Sequence, residues 1–189
     1  IIPDVISGKA LPVAIGITEP QAGSDSGAMS TTATIEGDKV IINGQKTWFT
    51  NADSATWGLV CTNDTSDPNT RNAMSMWIVP FDTPGIRIDP IPKIGFWTEN
   101  SCEVFFDNVE LPITALFGEL NNGWKQLMIN FGFERAFMAA MCLGMAQGAL
   151  DDAADYANKR VQFGQPIGSY QLIQKKIAVW GLTYKAGTN

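Results

Sequence analysis

Histidine is absent from the 189 residues of this chain. This excludes histidine-based catalytic triads, imidazole acid–base chemistry and most transition-metal sites, so any general base must be a carboxylate. Basic residues are also scarce, because 13 Lys and Arg stand against 19 Asp and Glu and give a net charge of -6. Binding of nucleic acid needs clustered cations, and we therefore expect no nucleic-acid partner.

Cysteine is rare as well: Cys61, Cys102 and Cys142 are the only three, and they lie far apart in the sequence. Their odd number and spacing favour reduced thiols in an intracellular compartment and predict no metal site. The most apolar long stretch, residues 136–150, is shorter than a bilayer span, which predicts a core helix and no membrane partner. No secretory signal is recognisable, and the start at Ile1 without Met indicates a fragment of a longer protein.

Short β-rich runs separated by turn residues extend from Val13 to about Phe117 and predict an antiparallel barrel or sandwich. Gly37-Asp38 indicates a hairpin between residues 31–36 and 39–42, and Asn43-Gly44 indicates a second turn. Further strands are predicted at 11–17, 45–51, 57–62, 73–79, 86–88 and 102–106, with an exposed loop at 63–72.

The sequence changes character near 118–123, and one long helix is predicted from Trp124 to about Gln162. Residues 163–166, Phe-Gly-Gln-Pro, should stop it, and Ser169 should cap the next helix. A row of small residues predicts close packing of a second helix on the first, and a buried stripe is expected on the next one; these sets are Ala136, Ala140, Gly144 and Gly148, and Ile173, Ile177, Trp180 and Tyr184. The class is therefore α+β, with domains at 13–118 and 119–189 after the end of a preceding element at 1–12.

Hydroxyl, carboxylate and glycine residues are concentrated at 16–28, where an apolar run ends. Such a loop turns backbone N–H groups and the Thr18 and Ser24 hydroxyls toward one spot, which suits the carbonyl edge or the pyrophosphate of a flavin. A strand that ends in a polar turn is the alternative. In the later segment 45–51, a strand period of two places Trp48 and Thr50 on one face, where a flavin ring could pack on the indole; an ordinary core Trp is the alternative.

The residues at 16–28, Gly-Ile-Thr-Glu-Pro-Gln-Ala-Gly-Ser-Asp-Ser-Gly-Ala, resemble the acyl-CoA dehydrogenase signature, and 45–51 resembles the second flavin-contacting strand of that family. The resemblance covers nearly the whole chain in the family's order: the end of a helical domain, the middle β-domain and the first helices of the C-terminal bundle. It implies FAD as the cofactor. The residues implied to contact it here are Ile15, Ile17, Thr18, Gly23, Ser24, Trp48, Phe49 and Thr50.

A third region, 157–164 with Tyr170-Gln171, resembles the segment by which one subunit reaches the FAD of its neighbour. The resemblance implies cofactor contacts from Arg160, Gln162, Phe163 and Gln171, and a homotetramer built as a dimer of dimers. A guanidinium suits phosphate because it binds two oxygens in a planar fork. A solvated charge that compensates the helix dipole is the alternative for Arg160.

In a subset of the family the glutamate before the helix Arg is the catalytic base, and Glu134-Arg135 resembles that pattern. It implies Glu134 as the base and Ser24, Phe133 and Arg135 as substrate contacts, with the carboxylate partly desolvated. Pairing of Glu134 with a neighbouring cation, or a base in the C-terminal region, are the alternatives.

The implied reaction is the α,β-dehydrogenation of an acyl-CoA thioester, or its reversal, in fatty acid metabolism, with an electron-transferring flavoprotein as acceptor. An acyl-CoA oxidase and a family member that binds flavin or acyl-CoA without turnover are the alternatives. The expected compartment is the bacterial cytoplasm or the mitochondrial matrix. Residues 156–177 and 101–103 resemble crotonobetainyl-CoA reductase-like bacterial members, which does not fix the substrate.

Overall fold

The computed structural model describes residues 2–9, 14–63 and 73–186, and the side chains of 179–186 are outside the description. Contacts divide the chain into two units between Met128 and Ile129, and each is described by itself. The strands of the first unit are β1 Ala14–Gly16, β2 Thr32–Glu36, β3 Lys39–Thr50, β4 Trp57–Asn63, β5 Met74–Pro80, β6 Ile86–Ile91 and β7 Ser101–Pro112. A short helix, α1, spans Ile2–Ile6.

These seven strands form one sheet in the order β1-β4-β2-β3-β7-β6, with β5 paired to β4. The pairs β2–β3, β3–β7, β4–β5 and β6–β7 are antiparallel, whereas β4 pairs in parallel with β1 and β2. The predicted purely antiparallel arrangement is therefore corrected to a mixed sheet. The β2–β3 hairpin lies between β1 and β4 in the chain, and this long connection allows the two strands to run in parallel.

The predicted hairpin about Gly37-Asp38 is confirmed, since Thr32 to Glu36 pair with Asn43 to Lys39. The second turn at Asn43-Gly44 is wrong, because β3 continues through it as far as Thr50 with a register shift between Ile42 and Gly44. Gly44 has φ +143°, and a Cβ there would lie 2.6 Å from the Cα of Thr31. Glycine serves here a β-bulge and a close backbone approach.

The core of the first unit lies on one face of the sheet and is mainly aliphatic. Its fully buried members include Val40, Ile42, Phe49, Val60, Trp77 and Val104. The Trp77 indole donates to the Thr62 hydroxyl at 2.8 Å, which satisfies its one polar atom. The other strand predictions are confirmed, although β6 and β7 extend beyond their predicted ends. Of the predicted loop at 63–72, Asn63 belongs to β4 and residues 64–72 lie outside the described residues, as do residues 11–13 of the first predicted strand.

The predicted long helix is present as α2, Gly123–Lys159, and the next one as α3, Gln171–Ala186. Between them a two-strand hairpin pairs β8, Val161–Gln162, with β9, Gln165–Pro166. Phe163 and Gly164, at φ +51° and +79°, form its turn, so they do not end the helix.

Ser169 does not cap α3, because it lies in a 3₁₀ turn at Ile167–Ser169 and the Tyr170 carbonyl accepts the N–H groups of Ile173 and Gln174. In the predicted stripe Ile173 and Ile177 are half-buried, and Trp180 and Tyr184 lie outside the described side chains.

The apolar stretch 136–150 lies inside α2. By length and composition alone α2 could cross a membrane, so the shortness of that stretch does not exclude a span, contrary to the expectation from sequence. Core helices of helical bundles pass the same test, which makes this weak evidence for a membrane. The four small residues of the predicted packing row are all exposed, and their helical partner stays a prediction.

Candidate functional site

The two motifs of the first unit are neighbours in space. The Thr47 N–H donates to the Thr18 carbonyl at 2.9 Å, which joins the segment after β1 to the C-terminal end of β3. A second hydrogen bond joins the two motifs. The Lys46 ammonium donates to the carbonyl of Ile17, 29 positions earlier in the chain, at 3.1 Å. The segment after β1 and the end of β3 are therefore in direct contact, while the shared cofactor role of their residues stays a prediction.

Most of the predicted cofactor contacts in these two segments are accessible to solvent. Trp48 is 58% exposed and Ile15 37% exposed, Thr50, Gly23 and Ser24 are exposed, and Ile17 and Thr18 are half-buried. Phe49 differs, because its ring is fully buried in the core and packs edge-to-face on Phe81 at 5.5 Å between ring centroids. Phe49 is 0% exposed as a whole residue, so its predicted cofactor contact stays a prediction.

The backbone at Trp48 is unusual. Its φ is +57°, and the register of β3 with β7 shifts between Lys46 and Phe49. A simple period of two does not hold here, since Lys46 and Thr47 are both buried, yet Trp48 and Thr50 are both exposed. A bulky residue in the left-handed region is strained, and such strain is concentrated at binding and active sites.

A buried ion pair that the sequence did not predict joins the same two motifs. The Lys46 ammonium lies 2.8 Å from the Glu19 carboxylate, and both side chains are 0% exposed. The signal was present in the sequence, because Glu19 stands in the signature and Lys46 in the second motif. The pairing of two positions 27 residues apart could not be read from local pattern.

The charge state of this pair follows from its surroundings. Burial would raise the pKa of Glu19, but the charge and hydrogen bond of Lys46 and the hydrogen bonds from Thr31 and Ser30 outweigh it and lower the pKa to about 2. Burial lowers the pKa of Lys46, and Glu19 opposes that shift. Because the carboxylate lies 2.8 Å from the ammonium, we infer that Glu19 is ionised and Lys46 is protonated. Burial also raises the pKa of the nearby Cys61 thiol to about 11, which leaves it an unreactive thiol.

In the second unit, Glu134 and Arg135 lie on one face of α2. Together with Phe131 and Met138 they line an open pocket of about 420 Å³, as their spacing of three and four residues requires. Glu134 is exposed, so the expected partial desolvation is not seen in the described part of the chain. Phe133 is 76% exposed and is not among the residues that line the pocket.

The β8–β9 hairpin gathers the third group of predicted contacts. Arg160 is exposed, and its backbone is fixed because its N–H donates to the Tyr156 carbonyl and its carbonyl accepts from Ile167, both at 2.8 Å. The Tyr170 hydroxyl donates to the Gln162 carbonyl at 3.0 Å, and its ring lies edge-to-face with Phe163. Phe163 is 95% exposed and Gln171, the first residue of α3, is exposed too.

Comparison with known proteins identifies this arrangement. The acyl-CoA dehydrogenase middle domain matches residues 14–109, and the C-terminal domain of the same family matches residues 121–188. The chain belongs to the acyl-CoA dehydrogenase family. A curated relative, "Probable acyl-CoA dehydrogenase YdiO" of Escherichia coli K12, is 43% identical over 169 residues, which are 89% of this chain and 44% of the relative.

Solved structures agree with this family. Butyryl-CoA dehydrogenase from Megasphaera elsdenii superposes with a TM-score of 0.90 at 32% identity, over 98% of this chain and 49% of that one. Glutaryl-CoA dehydrogenase in its glutaryl-CoA complex gives 0.91 at 35% identity, over 98% and 47%. The chain thus spans about half the length of the relatives that it matches.

FAD is the cofactor that goes with this family, and a further structural match is named an FAD-dependent dehydrogenase. The residues present fit a flavin. An exposed indole on strained backbone offers a stacking face, and the Thr18, Ser24 and Thr50 hydroxyls with the N–H groups of a glycine loop offer hydrogen bonds to ring or phosphate oxygens.

Two glycines of the signature should respond differently to alanine. A Cβ at Gly16 would overlap the Phe49 ring, whereas a Cβ at Gly23 meets nothing within 4 Å. We expect Gly16→Ala to lower the free energy of unfolding by about 1–3 kcal/mol through overpacking. Gly23→Ala, the matched control, should stay within about 1 kcal/mol of wild type. Denaturant unfolding without added FAD measures both, and equal stabilities would contradict the packing of Phe49 on β1.

Proposed function

We propose that the protein is an FAD-dependent acyl-CoA dehydrogenase that removes hydrogen from the α and β carbons of an acyl-CoA thioester, or catalyses the reverse reduction. The observation that supports the proposal is the Thr47–Thr18 hydrogen bond, because it joins Thr18 of the first motif to the residue that precedes the exposed Trp48. Neither motif alone would bring Thr18 next to the strand that carries Trp48 and Thr50.

Each group of residues has a task in this proposal. Trp48 packs on the flavin ring, the Thr50 hydroxyl donates toward its reactive centre, and Thr18, Ser24 and the loop N–H groups hold polar oxygens of the ligands. FAD, when bound, accepts the two electrons that leave with the β-hydrogen. Glu134 takes the proton from the substrate α-carbon, and Arg135 in the same pocket lies near polar parts of the substrate.

The substrate class is an acyl-CoA thioester, and its chain length is left open, because the relatives named above act on different acyl groups. For the acceptor we propose an electron-transferring flavoprotein. One of the matched structures is named for such a flavoprotein from Acidaminococcus fermentans. The cytoplasm or the mitochondrial matrix is the proposed compartment, which suits the buried free thiols of Cys61 and Cys102.

The test is turnover of the full-length protein with a panel of acyl-CoA thioesters, measured once with an electron-transferring flavoprotein or dye and once with oxygen alone. We expect enoyl-CoA to form with the flavoprotein or dye and only slowly with oxygen. Equal rates with oxygen would assign an acyl-CoA oxidase. Binding of FAD and acyl-CoA with no product under either condition would assign a non-catalytic member.

Replacement of Arg160 should loosen the cofactor and the assembly together. We propose that its guanidinium binds an FAD phosphate across a subunit boundary in a homotetramer, supported by its exposure at the start of the β8–β9 hairpin. Loss of a charge-assisted contact of about 1.5–3 kcal/mol should weaken FAD binding about ten- to a hundredfold in Arg160→Ala.

Lys159→Ala is the matched control, because Lys159 is adjacent but pairs with Asp155 at 2.7 Å within its own helix. FAD dissociation and sedimentation are measured on both variants. If Arg160→Ala retains FAD as tightly as Lys159→Ala, Arg160 is an ordinary surface charge.

A further inference from the structure

The Glu19 carboxylate is saturated with donors from a single loop and one strand. Its Oε2 accepts from the Ser30 N–H at 2.6 Å, the Ser30 hydroxyl at 2.8 Å and the Gln21 amide at 2.8 Å. Its Oε1 accepts from the Thr31 N–H at 3.0 Å and from Lys46 at 2.8 Å. The carboxylate thereby closes the loop from residue 19 to residue 31, which contains Gly23 and Ser24, at both of its ends.

The Lys46 ammonium also has several partners. Besides Glu19 it donates to the Ile17 carbonyl at 3.1 Å and contacts the Met29 sulfur at 3.9 Å. It therefore contacts the backbone just before the loop and a side chain near the end of it. The next residue in β3 makes the Thr47–Thr18 hydrogen bond, and the bulge that exposes Trp48 follows at once.

The pair thus lies at the junction between the loop of residues 19–31 and the end of β3. A sheet core gains no stability from a buried ion pair that a well-packed apolar pair of similar volume would not supply. What the ion pair adds is a defined position for the loop. Glu19 and Lys46 together make seven hydrogen bonds and contacts, and these link the loop to β3.

We propose that Glu19 and Lys46 are positioning residues for FAD. They hold Thr18 and the loop of residues 19–31, which contains Ser24, in place relative to Trp48 and Thr50, and they do not contact the cofactor themselves. This inference rests on the proposed FAD function. It predicts that the pair sets cofactor affinity and flavin environment separately from stability.

The test compares the full-length wild type with Glu19→Gln/Lys46→Met, which removes both charges and leaves no unpaired one. The matched control is Lys39→Met/Glu110→Gln, which removes the exposed ion pair at 2.9 Å between β3 and β7. Three quantities are measured on each protein: denaturant stability of the apoprotein, Kd for FAD from fluorescence titration of the folded fraction, and the band shape of the visible flavin spectrum. Ser30→Ala, which removes the 2.8 Å hydroxyl contact to Glu19 and leaves both charges paired, is carried through the same measurements.

We expect the Glu19→Gln/Lys46→Met protein to fold, to bind FAD about tenfold or more weakly and to show shifted flavin bands, while the control matches wild type in all three. If that variant does not fold, Ser30→Ala should still fold, because both charges stay paired, and should bind FAD more weakly than the control does. Wild-type affinity and spectrum in a folded variant would overturn the inference alone, since the wild type would still bind FAD. A wild type that does not bind FAD would overturn the proposed function and this inference with it.

Discussion

Glu134→Gln should retain bound FAD and its visible spectrum but lose reduction of the flavin by acyl-CoA. The amide keeps the size of the side chain and cannot accept the α-proton, so the rate of bleaching should fall about 10²–10⁴-fold. Glu134 lies in the open pocket beside Arg135, where the thioester is proposed to bind. Anaerobic stopped-flow absorbance with a good acyl-CoA substrate measures this rate.

Asp152→Asn on the same helix is the control, because Asp152 is exposed and carries no proposed role. It should bleach at the wild-type rate. Near wild-type bleaching in Glu134→Gln would assign the base to another carboxylate of the full-length protein and leave Glu134 as a surface group.

Lys46→Met should be among the most destabilising single substitutions in the protein. It leaves the Glu19 carboxylate buried without its cation, and an unpaired buried charge lowers the free energy of unfolding by about 3–5 kcal/mol. Lys39→Met removes a cation from an exposed pair, with side chains 58% and 59% exposed, and should lower it by at most about 1 kcal/mol. Denaturant unfolding of the two variants gives the comparison, and losses of similar size would mean that the Glu19–Lys46 pair is not buried in solution.

The sequence predicted most of the elements because their signals are local. Alternation and turn residues predict the β2–β3 hairpin, and a proline-free run with helical spacing predicts α2. Asn43-Gly44 failed because a glycine with positive φ serves a bulge as well as a turn, and only the approach of Thr31 distinguishes the two. The parallel pairing of β1 with β4 is likewise set by the chain path between them.

The candidate site divides in the same way. Thr18 and Trp48 were predicted from their motifs, whereas the burial of the Phe49 ring depends on Gly16 leaving room for it across β1. The Glu19–Lys46 pair was missed because charged residues are seldom fully buried unless they are paired, and pairing across 27 positions has no local signal.

The cofactor content of the purified full-length protein tests the central claim most directly. The account predicts a yellow protein with one non-covalent FAD per chain, released on denaturation, because we propose that Thr18, Ser24 and the exposed Trp48 bind the flavin. A folded, colourless protein that also fails to bind added FAD would contradict it.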